Sequence, residues 1–227
     1  MCSSDLLAAS LAHDMRNILT PIMGVSALVM RSYEIPPTLK EAFERQMQRL
    51  KALTQQLLSF ARPVAHEKSP LDINQVLQES LKLIQTEARH ARVEIVLSLS
   101  EGLSPVFASE GRLDQVFINL MLNAIHAMKE KGGTLAIESR QEGTHVVLSF
   151  KDNGPGIRSE YLGLLSEPFF TTKGSQGTGL GLFSSRQIIE KECGGNISGK
   201  SEVGKGAEFV VRLPEMTSFS AVSQKIN

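Results

Sequence analysis

Glycine is almost absent from the first part of the chain, and this feature constrains the fold most strongly. Only one of the 18 glycines in the 227-residue sequence, Gly24, lies within the first 65 residues. Apolar residues there recur at spacings of three and four, which is typical of amphipathic helices. They predict helices over residues 4–31 and 37–62, interrupted by the proline-containing segment 33–37. Residues 1–65 are therefore expected to form a helical hairpin.

Both predicted helices carry an apolar seam. In the second helix the seam follows an a/d heptad made of Leu39, Phe43, Leu50, Leu53, Leu57 and Phe60, with Gln46 at the missing position. An isolated helix pair leaves such seams poorly covered, and a second copy that completes a four-helix bundle is the simplest way to bury them. We therefore expect a homodimer formed through the helical hairpin, which would serve as a dimerisation domain.

The pattern changes after a polar, proline-marked linker over residues 62–70. Helical spacing then recurs at residues 73–84, 110–129 and 180–190. Runs rich in β-forming residues occupy 93–99, 134–140, 145–151 and 208–213. A turn at 141–144 joins the second and third of these runs. Helices grouped with a mixed, mostly antiparallel sheet predict an α/β two-layer sandwich over residues 66–215, and hence an α+β chain. Residues 216–227 lack periodicity and are expected to be a disordered tail.

Charge and composition exclude several classes of partner. The chain has 24 Lys+Arg against 24 Asp+Glu, which argues against a nucleic-acid binder. No apolar run approaches the roughly 18 residues of a membrane span, so no membrane segment is expected in this chain. Cys2 and Cys193 are too few for a disulfide framework, and a cytoplasmic location is therefore expected.

Four short segments in the second predicted domain are suited to nucleotide chemistry. In chain order they are DQVFINLMLNAIHAM (114–128), DNGPGI (152–157), EPFFTTK (167–173) and GTGLGL (177–182). Asn119 and Asn123 are four residues apart, so their amides project from one helix face. Amide oxygens there can bind Mg²⁺ that bridges phosphates. The first segment therefore predicts a metal site at Asn119 and Asn123.

The next segments suggest how the rest of a nucleotide could be held. Asp152 follows a strand, where its carboxylate could accept the exocyclic amine of a purine. Gly154 and Gly156 would let the backbone approach the ring. The glycines of GTGLGL open a helical run and can expose N–H groups to phosphate oxygens. Lys173 ends the EPFFTTK segment, within a loop-like stretch over residues 158–177, and is a candidate for the terminal phosphates.

The order of these four segments resembles the catalytic ATP-binding domain of bacterial sensor histidine kinases, within the ATPase superfamily shared with gyrase and a heat-shock chaperone. The resemblance extends over residues 3–214. It implies ATP and Mg²⁺ as cofactors, with Asp152 on the adenine and the loop of Phe169, Phe170 and Lys173 as the ATP lid. The implied nucleotide-binding set is Asn119, Asn123, Asp152, Gly154, Gly156, Ile157, Phe170, Thr171, Thr172, Lys173, Gly177, Thr178, Gly179, Leu180 and Gly181.

The N-terminal HDMRN segment (13–17) resembles the phosphoacceptor box of the same family. The resemblance implies that His13 accepts the γ-phosphoryl group on a ring nitrogen. Asp14 is expected to raise the basicity of the imidazole, and Asn17, one helical turn along, to orient a water that hydrolyses a phosphorylated partner. Many family members have proline five residues after the histidine, whereas this chain has Ile18 there and Pro21 three residues later.

These expectations combine into a histidine kinase core. It would autophosphorylate His13 with Mg-ATP, transfer the phosphoryl group to an aspartate of a response-regulator receiver domain, and receive its input from a sensor domain or protein that is not part of this chain. Two alternatives stay open: a clamp-type ATPase of the same superfamily, and a histidine phosphotransfer scaffold whose ATP domain has decayed. His13 with Asp14 argues against the first, and the intact DNGPGI and GTGLGL segments argue against the second. The sister ATPases use a glutamate on the corresponding helix to activate water. Asn119 occupies that region in this chain, and an amide cannot act as a base, so phosphoryl transfer to His13 is favoured over plain hydrolysis.

Overall fold

The structure is a computed structural model that describes residues 67–165, 167–168, 170–171 and 179–216, together with Pro36 and Phe43. The chain divides into two compact units, Met1–Ala65 and His66–Asn227. Phe43 is helical. The rest of the predicted hairpin and its four-helix bundle lie outside the described residues. The fold described below is that of the second unit.

The described residues of the second unit form a five-stranded sheet, a small two-stranded sheet and four α-helices. The strands are β1 (Ser69–Leu71), β2 (Val93–Leu99), β3 (Val106–Ala108), β4 (Gly133–Glu142), β5 (His145–Asp152), β6 (Asn196–Glu202) and β7 (Gly206–Pro214). The α-helices are α1 (Ile73–His90), α2 (Glu110–Ala127), α3 (Ser159–Leu162) and α4 (Gly181–Gln187), and a π-helical turn over Ile188–Glu192 follows α4.

The five-stranded sheet has the order β2-β4-β5-β7-β6. β2 and β4 run parallel, whereas the other three neighbouring pairs are antiparallel. The predicted mixed, mostly antiparallel sheet is confirmed. β1 and β3 form a separate antiparallel pair. Among the described residues, no helix is both long and apolar enough to cross a membrane.

Helix α1 is capped at its N-terminus and buries the apolar face that the sequence predicts. Asp72 caps its N-terminus, because one carboxylate oxygen accepts from the backbone N–H groups of Asn74 at 2.9 Å and Gln75 at 3.3 Å. The helix buries Ile73, Val76, Leu77, Leu81 and Ile84. Helices α1 and α2 form one layer against the sheet, and the rings of Phe117 on α2 and Phe150 on β5 lie 5.9 Å apart. This packing confirms the two-layer sandwich.

The structure corrects four boundaries that the sequence suggested. The linker ends earlier than residue 70, because Ser69–Leu71 pairs with β3 at a sheet edge, where Pro70 is tolerated. The turn predicted at 141–144 shortens to the two residues between β4 and β5, with Gly143 at φ 58°. Helix α2 stops at Ala127 rather than residue 129. The helical run at 180–190 changes to π-helical geometry after Gln187.

Candidate nucleotide-binding site

Asp152 is the last residue of β5, and its carboxyl group is buried, with 7% of the residue exposed. One oxygen, Oδ1, accepts from the backbone N–H of Gly154 at 2.9 Å and from that of Ala207 at 3.3 Å. Burial raises the pKa of Asp152 above its ordinary value, and the two backbone hydrogen bonds oppose this rise. Because both bonds fall on Oδ1, the carboxylate is held in a fixed orientation that leaves Oδ2 for a further donor.

The loop that follows Asp152, residues 153–157, takes the name adenine loop from the role that the sequence predicts for it. Its residue Asn153 is tied to the sheet, since the Asn153 side-chain oxygen accepts from Thr134 N at 2.8 Å. A Cβ on Gly154 would lie 2.9 Å from Asp152 Oδ1. That position therefore needs glycine for the turn that hydrogen-bonds the carboxylate.

Gly156 has a structural requirement that the sequence did not indicate. Its φ is +73°, and a Cβ there would lie 2.1 Å from the carbonyl oxygen of Glu202. The adenine loop thus makes its close approach to the turn between β6 and β7. The predicted approach of Gly156 to a purine ring stays a prediction.

Helix α2 brings Asn119, one of the two predicted metal residues, to the start of α4. The side-chain N–H of Asn119 donates to the carbonyl of Gly181 at 3.4 Å. Four residues before it, Gln115 donates to the hydroxyl of Ser184 at 3.2 Å. The structure therefore brings together the first and last of the four sequence segments along one face of α2.

The residues on this face are chemically suited to Mg²⁺. The amide nitrogen of Asn119 faces Gly181, so its oxygen Oδ1 is the candidate metal ligand, and Asn123 lies one turn further along, half-buried. Within the described residues no group of three His, Cys, Asp or Glu side chains could hold a metal ion. Mg²⁺ often binds through few protein ligands together with substrate phosphates and water, and two amide oxygens fit that mode.

The described part of the predicted lid is anchored by aromatic contacts. The ring of Phe170 lies 5.7 Å from that of Tyr161, and the guanidinium of Arg158 stacks 4.4 Å from the centre of the Tyr161 ring. Tyr161 belongs to helix α3, which the loop prediction for residues 158–177 missed because four residues are too few to show a period. Thr171 is described and has contacts of its own.

At the end of GTGLGL, Gly179 has φ +67°, Leu180 is buried, and the Leu180 carbonyl accepts from Ser184 N at 2.8 Å. These contacts fix the first turn of α4, whose N-terminal residue is Gly181. The remaining predicted site residues lie outside the described residues: His13, Asp14, Asn17, Thr172, Lys173, Gly177 and Thr178.

Sequence reasoning missed the residues that support Asp152 from the far end of the chain. Ala207 donates to its carboxylate, and Gly206, at φ +93°, passes so close that a Cβ would lie 1.9 Å from the Asp152 carbonyl oxygen. The signal available was the pair Gly204 and Gly206 just before the last strand, which is typical of a tight hairpin turn. Nothing in that pattern indicates that the turn meets residue 152.

Two family models match the chain. Residues 108–217 match the histidine kinase-, DNA gyrase B-, and HSP90-like ATPase family, and residues 3–65 match the His Kinase A (phospho-acceptor) domain. The two matches thus give an ATPase-type domain that follows a phosphoacceptor-type domain in one chain.

Known kinases are similar to this chain over most of its length. Sporulation kinase E of Bacillus subtilis (strain 168) is 34% identical over 92% of this chain, which spans 28% of that relative's length. The catalytic domain of the histidine kinase ThkA is 34% identical with a TM-score of 0.60, over 66% of this chain and 96% of that one. ThkA in complex with the response regulator protein TrrA has a TM-score of 0.69 at 29% identity, over 92% of this chain and 61% of that one. The chain belongs to the histidine kinase family.

Proposed function

We propose that this chain is the kinase core of a two-component sensor histidine kinase, with a dimerisation and phosphotransfer domain at 1–65, a catalytic domain at 66–215 and a disordered tail at 216–227. The observation that carries the proposal is the site itself, in a chain that also matches the phospho-acceptor family over residues 3–65. In that site a buried, oriented Asp152 carboxylate stands beside the adenine loop, and Asn119 meets Gly181.

Each part of Mg-ATP has a matching group. Asp152 Oδ2 accepts a hydrogen bond from the exocyclic amine of adenine, while the same oxygen would repel the carbonyl of guanine. The backbone N–H groups of the GTGLGL segment bind phosphate oxygens, and Lys173 neutralises the terminal phosphates. Asn119 and Asn123 would hold Mg²⁺, which would neutralise phosphate charge.

The reaction on this chain is nucleophilic attack by His13. One ring nitrogen forms a bond to the γ-phosphorus while the bond from that phosphorus to the β,γ-bridging oxygen breaks and releases ADP. The other ring nitrogen keeps its proton in a hydrogen bond to Asp14, which stabilises the positive charge that develops on the imidazole. The phosphoryl group then passes to an aspartate of a response regulator.

The proposed partners follow from the two domains and from a relative. The hairpin would form the homodimer, and the ThkA structure with its response regulator TrrA supports a receiver domain as the second partner. A sensor domain or protein outside this chain would supply the stimulus, and the core would act in the cytoplasm. Asn17 is proposed to orient the water that dephosphorylates the regulator.

Incubation of the purified chain with ATP labelled on the γ-phosphate tests the proposal. The expected result is a protein-bound label that is acid-labile and base-stable, as phosphohistidine is, and that is lost in His13→Gln although ATP binding by calorimetry is unchanged. Labelling of His13→Gln at the wild-type level would reject the acceptor. Release of labelled phosphate with no labelled protein would favour the clamp-type ATPase instead.

The phosphatase role has a separate assay, the decay of a purified phosphorylated response regulator. Asn17→Ala should still autophosphorylate but lose regulator dephosphorylation, whereas Asp14→Ala should slow autophosphorylation by about 100- to 10,000-fold, the range for general acid–base assistance. Equal regulator decay with wild type and Asn17→Ala would remove the water-orienting role of Asn17 and leave the kinase assignment intact.

A further inference from the structure

Ser201 lies on β6, at the strand end nearest the turn that faces the adenine loop. On this strand odd-numbered residues share a face with partly buried Ile197, whereas Ser198 on the opposite face is exposed. Ser201 is half-buried and sits across from Ala207, whose N–H donates to the Asp152 carboxylate. Its side chain is therefore directed towards the site and away from bulk solvent.

The Ser201 hydroxyl makes two short hydrogen bonds that join different segments. It accepts from the backbone N–H of Ile157, the last residue of the adenine loop, at 2.8 Å, and it donates to the carbonyl of Gly206 at 2.6 Å. One acceptor position and the only donor of the hydroxyl are thus used, which fixes its direction. A third contact, from Gly204 N to the Pro155 carbonyl at 2.8 Å, ties the same loop to the same turn.

The glycines at this junction explain why the contact is so close. A Cβ on Gly156 would lie 2.1 Å from Glu202 O, and one on Gly206 would lie 1.9 Å from Asp152 O. Loop and turn therefore meet backbone to backbone, and Ser201 supplies the only side-chain bridge between them among the hydrogen bonds described for residues 153–157 and 201–206.

We propose that Ser201 is the positioning residue that fixes the adenine loop against the β6–β7 turn and thereby sets the preference of this site for adenine over guanine. The proposal rests on the adenine role of Asp152. The hydroxyl touches no nucleotide in this scheme. It acts by holding Ile157 and Gly206, so that the Gly154 and Ala207 N–H groups stay aimed at one oxygen of Asp152 and the other oxygen stays aimed at the base.

The first test measures the bridge without nucleotide, by amide hydrogen exchange in the full chain. In Ser201→Ala the Ile157 N–H loses its acceptor, and its exchange should accelerate relative to wild type. Ser198→Ala, the same substitution on the opposite face of the strand, should leave Ile157 unchanged. Wild-type exchange of Ile157 in Ser201→Ala overturns the proposal.

The second test measures binding of Mg-ATP and Mg-GTP by calorimetry. A loss of binding free energy equal to one neutral hydrogen bond should weaken ATP binding by about 2- to 12-fold and reduce the ATP-to-GTP preference, with Ser198→Ala near wild type. Ser201→Thr keeps the hydroxyl and should recover most of both quantities. An unchanged ATP-to-GTP ratio in Ser201→Ala, or a threonine variant as weak as the alanine variant, overturns the positioning role.

Failure of the proposed function looks different. A wild-type chain that binds ATP and shows these variant effects but forms no phosphohistidine would refute the kinase assignment and leave the role of Ser201 standing. If the chain labels His13 normally while Ser201→Ala keeps full adenine preference, the role of Ser201 is refuted and the kinase assignment stands.

Discussion

The two ends of the candidate nucleotide site are built differently. On the adenine side, loop and turn meet backbone to backbone, and the hydrogen bonds of the Ser201 and Asp152 side chains that hold them measure 2.6, 2.8, 2.9 and 3.3 Å. On the phosphate side, α2 meets α4 through side chains, with Asn119 to Gly181 at 3.4 Å and Gln115 to Ser184 at 3.2 Å. The base end is preformed, whereas the described phosphate end is held by longer contacts.

This difference suggests a division of labour. A preformed pocket lowers the ordering cost of binding, which suits recognition of an uncharged ring that brings little electrostatic energy. Phosphates and Mg²⁺ bring strong charge and can draw side chains into place as they bind. Changes on the adenine side should therefore affect stability and affinity together, and changes on the phosphate side should affect transfer more than folding.

The largest expected effect comes from filling the backbone contact of the adenine side. In Gly206→Ala the new Cβ meets the Asp152 carbonyl and the residue must keep φ at +93°, so strain and overpacking together should cost about 2–6 kcal/mol of unfolding free energy. Gly204→Ala is the matched control, because φ is +82° but nothing lies within 4 Å, and it should cost about 1–2 kcal/mol. Urea unfolding measures both. Equal losses would mean that the close approach contributes nothing.

A smaller effect should follow from changing the carboxylate of the adenine side. Asp152→Asn keeps an oxygen that can accept from Gly154 but brings an amide donor towards the adenine amine. ATP binding should weaken by about 1.5–3 kcal/mol, the range for a hydrogen bond to a charged group. Calorimetry with ATP gives the loss, and unfolding of the same variant checks that the fold is retained. Wild-type affinity in Asp152→Asn would reject the adenine role.

The phosphate side should respond in the opposite sense. Gln115→Ala removes the contact with Ser184, and its cost to unfolding should be about 0.5–1.5 kcal/mol, as for one neutral hydrogen bond. The rate of autophosphorylation at saturating ATP should fall by a larger factor than ATP affinity. Gln85→Ala, at an exposed position of α1, is the control for loss of a helix glutamine and should leave both unchanged. Equal losses of rate and affinity in Gln115→Ala would remove the contrast between the two sides.

The same contrast explains what sequence reasoning could find. The apolar period of α1 and the alternation of β2, β4 and β5 are local, so their positions were predictable, and β2 has the predicted limits Val93–Leu99. Strand β6 was missed because NISGKSE is polar and contains Gly199, whose missing Cβ makes room for the ring of Phe209. When a strand is stabilised by the strand it packs against rather than by its own apolar pattern, its sequence does not predict it.

The candidate site divides in the same way. Asp152, Asn119 and the GTGLGL glycines stand in dense local motifs, and the sequence indicated them. Ser201 and Gly206 act on the adenine loop from about fifty residues away. Contacts of that kind depend on strand order and register, and β7 has to lie beside β5 before Ala207 can reach Asp152.

The smallest expected effect is a pH dependence that belongs to the adenine side. Burial raises the pKa of Asp152 above its ordinary value of 3.8, so between the two values the folded chain binds more protons than the unfolded chain. The stabilisation from the protonated carboxyl is complete below pH 3.8 and is lost as pH rises through the raised pKa.

Glu208 has the opposite tendency, since hydrogen bonding to Lys200 lowers its pKa. Wild type and Asp152→Asn both contain Glu208, so the contribution of Glu208 cancels in the difference between their unfolding free energies. From pH 4 upwards this difference should change in favour of the asparagine variant. A difference that stays constant, or moves in favour of wild type, would mean that the preformed base end carries no desolvation cost at its carboxylate.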